Sequence, residues 1–472
     1  MEGGGVKLDR WGYEVWTCSD DCVAAINSYY HQVLSYGRGR RVILEAAKCD
    51  KDCVLANTLA AHFLGSADSP HLQAAKARLD QATPYERAVF GAVSYLISDN
   101  RDDDVAVELH SKLLNDYPKD LVSLKRGQVL CFYMARPDLS LNLVQKVLPS
   151  AEQEDYVYGM LAFPLLELGR MAEAENAARK GYEINKNDYW AQHALCHVFQ
   201  YQCRFKEAVE FMEECSTSWT PCSSFMLTHN WWHVALCYLE GNFKITKVME
   251  VYDHRIWKEL ERSDAMAPEV YLNALGLLLR LSIRGLLDDI FDDRFKVLAD
   301  RVADEANWFL EWHLDVLILW ALTKAGKISK AEGLLNGLKS RISKMNKKKQ
   351  QVMQKAILLA EALYEHTKGN DKQALELLGL DFDVNGCKII GASDEQLDVF
   401  HEVWFSILLN TGEGTKAIGA IEKHIKKRDG TPFTWRLLES GYRIEGREED
   451  AASAADKATS LEAAYFKSST RE

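Results

Sequence analysis

Residues 155–188 read DYVYGMLAFPLLELGRMAEAENAARKGYEINKND, and this block decides the fold. Tyr158, Leu161, Ala162, Leu165, Ala174, Ala178 and Gly181 recur at helical spacing on two segments separated by the polar turn ELGRMAE. Small residues at such positions let two helices approach closely, and larger ones fill the gap to the next pair. The pattern repeats. Ala106, Ser140, Ala174 and Ala208 are 34 residues apart, each just after a turn-like stretch: DNRDDD, ARPDL, ELGRMAE and YQCRFKE. A fixed period of this length marks stacked helix–turn–helix units. The phase loosens through LEGNFKITKVMEVYD and LLDDIFDDRF. It returns with Ala331, Ala374, Ala417 and Ala451, spaced 43, 43 and 34 residues apart.

The block resembles the tetratricopeptide consensus, and Pro118 in NDYPKD matches the proline that closes a repeat. The expected architecture is an all-α, tetratricopeptide-like solenoid, a right-handed superhelix able to curl until its ends approach. Between Arg87 and Cys222 the unbroken phase predicts four antiparallel helix pairs and no sheet. No alternating strand pattern stands out anywhere in the chain. Four regions are expected: residues 1–86, an N-terminal helical region; 87–263, repeats with a histidine-rich groove; 264–304, an irregular helical connection; and 305–472, C-terminal helical repeats. KSRISKMNKKK, residues 339–349, reads as an exposed basic linker or a solvated helix end.

Composition narrows the function. The 472 residues are 47% hydrophobic and 27% charged, with nine prolines, which excludes a collagenous or broadly disordered chain. A net charge of −12 argues against nucleic acid or an anionic membrane as the main partner. The start, MEGGGVKLDRWGYEVW, has no apolar signal core, and no apolar run reaches the length of a membrane helix. A soluble, cytoplasmic protein is expected, monomeric by default, with its eleven cysteines reduced. Cys18/Cys22 and Cys49/Cys53 have C-x3-C spacing, which differs from the usual zinc knuckle and reads first as core packing.

Histidines carry the chemical signal. YWAQHALCHVFQ holds His193 and His197, and MLTHNWWHVALCYLEGN holds His229 and His233. Each pair is spaced i, i+4, so both imidazoles lie on one helical face. Counting from Tyr189 places His193 and His197 at positions that line the groove of tetratricopeptide stacks. Three readings stay open: packing residues bonded to carbonyls, a polar floor for a small molecule or peptide, and metal ligands or acid–base groups. The four histidines are expected to face a common, partly enclosed cavity with Asn230 and Trp232 in its wall. HExxH is absent, as are a Walker A loop, a dinucleotide-type GxGxxG and a GxSxG elbow. No cofactor is therefore expected, apart from a divalent metal on His193, His197, His229 and His233 in the third reading.

Beyond the generic repeat, the chain resembles the tetratricopeptide repeat protein 38 family. The resemblance rests on LDRWGYEVWTCSDDCVAAI, HALCHVFQ, HNWWHVALCYLEGNF, VYDHRIW and GASDEQLDVF, spread over most of the chain. The family has no established activity, so the resemblance implies a shared polar pocket without naming a reaction. It places His193, His197, His229, Asn230, His233, Asp253, Arg280, Asp315 and Asp398 at the matching positions. It also implies Glu, Asp and Arg where this chain has Gln200, Asn273 and Leu397. An Asn-Asp-x-His motif is reduced to Leu314-Asp315-Val316-Leu317, with His313 nearby. The favoured function is binding of a peptide, partner protein or small molecule in a concave His/Trp-lined groove. The alternative is an enzyme, such as a metal-assisted hydrolase, built on the clustered histidines.

Overall fold

The computed structural model describes residues 5–99 and 101–466. Helices dominate: 25 α-helices are found among the described residues, with one two-stranded hairpin. Residues 87–222 hold the expected pairs, Pro84–Leu96 with Asp103–Asp116, Leu121–Tyr133 with Pro137–Ala151, Val157–Glu167 with Met171–Ile184, and Tyr189–Tyr201 with Phe205–Cys215.

The repeat has a physical cause that recurs unit by unit. Ala106, Ser140, Ala174, Ala208, Ala331, Ala374, Ala417 and Ala451 are each the fourth residue of the second helix of a pair. All eight are buried. In each, the backbone N–H donates to the carbonyl four residues earlier, at the helix's N-terminal boundary. Five residues before seven of them the chain turns left-handed, at Ala135, Gly169, Cys203, Gly326, Gly369, Gly412 and Gly446. A left-handed residue ends the first helix, and the small side chain then lets the second fold back against it. The chain is a tetratricopeptide-like helical-repeat protein. Replacing Gly169 (φ 75°) by Ala should lower stability by about 1 kcal/mol, because a Cβ disfavours that backbone region. Chemical denaturation would measure it, and an unchanged midpoint would contradict the turn's role.

One expectation needs correction, and one pair of readings is decided in favour of the helix end. Val6–Leu8 pairs antiparallel with Glu14–Trp16, Val6 opposite Trp16. Strands of three residues are too short to show alternation. The hairpin is set instead by Asp9, whose Oδ1 accepts from the N–H groups of Trp11 and Tyr13, each at 2.9 Å. The basic stretch at 339–349 is no linker. It is the end of helix Ile328–Ser343 and the start of helix Lys347–Thr367, where the Asn346 side chain caps by accepting from the Lys349 N–H.

The chain forms two compact units, residues 1–195 with 218–223 and residues 196–217 with 224–472. The boundary falls within helix Tyr189–Tyr201, whereas the sequence suggested 264–304 as the break. That segment contains helix Ala267–Ile283, most of whose residues lie in the core of the second unit. Within the second unit the chain closes on itself. The Tyr465 phenol donates to the Gly430 carbonyl at 2.6 Å, its ring packs edge-on against Phe205, and Phe466 packs on Phe243. Among the described residues no helix is long and apolar enough to cross a membrane.

Candidate functional site: a buried histidine cluster

Helix Ser224–Glu240 carries His229 and His233, one turn apart. Its first turn is fixed by side chains: Ser224 Oγ donates to Glu259 Oε1 at 2.7 Å, and the Phe225 N–H donates to Glu269 Oε2 at 2.6 Å. Asn273, on helix Ala267–Ile283, donates its amide Nδ2 to Thr228 Oγ1 and to the Glu269 carbonyl. Both its amide hydrogens face oxygens, so Oδ1 is left to accept from His229 Nδ1 at 2.8 Å. That fixes the tautomer: Nδ1 carries the proton and Nε2 presents a lone pair. Burial then pushes the His229 pKa down to about 4, so the ring is neutral at physiological pH.

His233 Nδ1 lies 2.9 Å from Gln200 Oε1. His197 Nδ1 lies 2.5 Å from Glu395 Oε2, but off the line of a hydrogen bond, so the contact is best described as a close ion-pair approach. Burial opposes the charge of Glu395, and the adjacent His197 outweighs it, leaving the carboxyl below its ordinary pKa. The rings meet at close range. His197 and His233 centroids are 4.3 Å apart, and His229 and His233 are 4.8 Å apart. A ring nitrogen from each of the three lies within 4.8 Å of the others. His229 also stacks between Phe225 and Trp232.

Around the rings are polar groups without partners. Asn230 is fully buried, and neither its Oδ1 nor its Nδ2 is hydrogen-bonded. The Trp232 indole N–H and His313 Nδ1 are also unbonded and buried. Burial, with His229 adding to it, pushes the His313 pKa down to about 3.

A charged layer adjoins the cluster. Arg280 donates Nη2 to the Glu395 carbonyl at 2.8 Å and Nη1 to Glu240 and Glu402 at 3.2 and 3.4 Å. Arg284 completes a four-membered network, 2.7 Å from Glu240 and 2.5 Å from Glu402. One turn beyond Glu395, Asp398 pairs with Arg428 and lies 3.4 Å from His424 Nε2. Asp398, His401 and His424 form a second, half-buried group whose ligand atoms lie within 4.8 Å of one another.

Of the residues expected from sequence, His197, His229, Trp232 and His233 come together in the second unit, with Arg280 joined through Glu395 and Asn230 buried on the same helix as His229. Asp398 belongs to the neighbouring group. His193 lies one turn before His197 in the first unit, where its ring stacks on Trp190 at 4.6 Å and Phe163 at 6.0 Å. Asp253 is engaged elsewhere, in a two-point ion pair with Arg294. Asp315 accepts from the Phe309 N–H at 2.7 Å, and burial pushes its pKa up to about 7. Leu397, where relatives are expected to carry Arg, is a buried apolar residue. Sequence reasoning missed Glu395, although it stands in the GASDEQLDVF motif three residues before Asp398, as well as Glu240, Glu402, His401 and His424. It expected a partly enclosed cavity in a concave groove. The cluster residues are at most 2% exposed, so the site is enclosed. In the Cys pairs, Cys22 and Cys53 are buried against each other, Cys18 and Cys49 are exposed, and among the described residues no metal-ligand cluster includes them.

No family model matches the chain. Among solved structures it is similar to the human IFIT1 dimer with m7Gppp-AAAA, at 14% identity and TM-score 0.39, covering 94% of this chain and 91% of that one. It is also similar to the TPR domain of P58(IPK), at 12% identity and TM-score 0.22, covering 80% and 93%. A third is the structure of Naa15/Naa10 bound to HypK-THB, at 12% identity and TM-score 0.25, covering 81% and 64%.

Proposed function

We propose that this chain is a member of the tetratricopeptide repeat protein 38 family and acts as a binding protein, holding a small polar ligand at the histidine cluster of its second unit. The observation that carries this reading is the Asn230 amide, fully buried with a free donor and a free acceptor, on the helix that carries His229 and His233. An unsatisfied buried polar group costs about 1–3 kcal/mol, so a side chain kept there with both ends free calls for an occupant that bonds it. That occupant must offer both a hydrogen-bond acceptor and a donor, as a carboxamide, hydroxyl or carboxylic acid does. Enclosure favours a small molecule over a peptide.

The second-sphere chemistry supports binding over catalysis. His229 and His233 rest on Asn273 and Gln200. The resemblance implies carboxylates at both places, and a carboxylate would raise the basicity of the ring as an amide does not. On this reading the site of this member has less acid–base power.

Small molecules released from the purified, denatured chain should be identified by mass spectrometry. The Asn230→Leu variant should retain none of that ligand. Stripped of ligand, it should be more stable than stripped wild type by about 1 kcal/mol, because the uncompensated amide is gone. A variant less stable than stripped wild type, with nothing released from wild type, would make Asn230 structural and end this reading.

A second reading, a divalent cation on His197, His229 and His233, is favoured by the Nδ1 hydrogen bonds of His229 and His233, since metal-binding histidines are oriented through the other ring nitrogen. Ligands of one ion need nitrogens about 2.0–2.1 Å from it, so the rings would draw closer on loading. Elemental analysis together with a cobalt titration distinguishes this case.

A further inference from the structure

The Nε/Nη2 edge of an arginine is its two-point face for an oxyanion. In this protein Arg78, Arg136, Arg170, Arg204, Arg262 and Arg294 all lay that edge on a carboxylate, as Arg136 does on Asp138 at 2.8 and 2.6 Å. Arg126, in the first unit, does not. It is 6% exposed, and its Nε and Nη2 are buried without a partner. Its Nη1 donates to Ser123 Oγ at 3.1 Å, and the neutral Tyr29 phenol is its other polar neighbour, so no carboxylate lies on the Nε/Nη2 edge.

Other cations gather around it. Arg40, half-buried, leaves Nε unbonded and stands 5.9 Å from the Tyr36 ring centre. Lys125 sits 3.2 Å from the centre of that ring, and its Nζ donates to the Val33 carbonyl at 2.5 Å. Burial, with Arg40 adding to it, holds the Lys125 pKa well below the ordinary lysine value. Burial and the charges of Arg126, His110 and Arg40 push His62 down to about 3. The Tyr29 phenol stands beside Arg126 and within the field of Arg40. Two acids are near, and neither fills the empty edge. Asp120 reaches Arg126 only through the Ser123 hydroxyl. Asp188 uses Oδ1 to accept from the Trp190 and Ala191 N–H groups, and burial lifts its pKa to about 7.

We infer that the first unit binds an oxyanion group, a phosphate or a carboxylate, on the Nε/Nη2 edge of Arg126, with Arg40 as the second donor. An anion there would supply the missing partner and the missing counter-charge together. Arg428, in the second unit, shows the contrast. Its Nε and Nη2 are also unbonded, but Asp398 pairs with it, and Glu240 and Glu395 add their fields, so its charge is already balanced.

The test uses the full chain, with inorganic phosphate and acetate as separate probes, against sodium chloride at equal ionic strength. Phosphate, acetate or both should raise the melting temperature saturably, where chloride does not. The probe that acts assigns the group. Arg126→Gln should weaken that binding about tenfold or more, the scale of a lost charge-assisted pair. The same variant without ligand should melt no lower than wild type, because it removes a buried charge that has no partner. Arg40→Gln alters a half-buried side chain and should weaken binding with the fold intact. It keeps the test open even if Arg126→Gln fails to fold. An unmoved melting temperature with both anions overturns the inference, as does an anion effect that survives in both variants.

Discussion

Replacing Arg280 by Met should destabilise the second unit by about 3–5 kcal/mol, the largest loss expected from any single change near the histidine cluster. Arg280 is 2% exposed and is held between Glu240 and Glu402, themselves buried. Burial works against the Glu240 charge, and Arg284 and Arg280 outweigh it, holding its carboxyl below the ordinary pKa. Take Arg280 away and two buried carboxylates share the single remaining guanidinium of Arg284. Stranded charge, not lost attraction, makes the loss large. Adding Glu402→Gln should therefore recover part of the stability, because it removes the stranded charge. Urea denaturation of the single and double variants measures both. A loss below about 1 kcal/mol in Arg280→Met, or no recovery in the double variant, would rule out the buried-network account. Because Arg280 Nη2 also holds the Glu395 carbonyl, the single variant should loosen His197 and weaken any ligand retained at the cluster.

The repeat was legible because it is written in short-range terms. A small residue four places into a helix, five after a left-handed turn, is a local requirement. Ala174 and its counterparts announced it at constant spacing. The i, i+4 histidine pairs were legible for the same reason, since one helical face collects them before any tertiary contact forms. What escaped were contacts spanning a hundred residues or more. His197 meets Glu395, and Arg280 meets Glu402, through closure of the second unit, which no local periodicity encodes. Asp398 and Glu395 stand in one motif, and nothing in its sequence says which of the two reaches the imidazoles. Asp253 and Asp315 were plausible acids by resemblance, yet a nearby arginine engages one and the N–H of a loop residue, Phe309, the other. The first-unit arginines were silent for another reason: an empty guanidinium edge is visible only once every possible partner has been placed.

Acidification should weaken the fold between pH 6.5 and 4, and His313→Leu should remove a measurable part of that loss. Burial holds His229, His313, His62, His110 and His401 at pKa values of about 4, 3, 3, 4 and 4. Unfolded histidines titrate near 6.5, so below that pH the unfolded chain takes up protons that the folded chain refuses. For the histidines the sign is fixed: stability falls as pH drops through 6.5, and their contribution levels off only below about 3. Buried acids oppose this: Asp9 is raised to about 6, Asp188 and Asp315 to about 7, and burial also raises Glu86 and Asp394. Over the same window they hold protons in the folded state that the unfolded state has released, which stabilises it. His424 is lowered by burial as well, so six refusals stand against five retentions and a net loss is expected. His313 isolates one share, because its Nδ1 has no partner and the Phe400 ring centre lies 6.3 Å away, so an apolar replacement strands nothing. Between pH 7 and 4.5 its contribution is about 2.5 kcal/mol, from the fall of its pKa from 6.5 to about 3. His313→Leu should match or exceed wild type at pH 7 and outlast it at pH 4.5 by that margin, as read from denaturant midpoints at the two pH values. Equal losses on acidification in variant and wild type would mean that His313 gains a proton in the folded state, and with it a partner that the buried cluster does not provide.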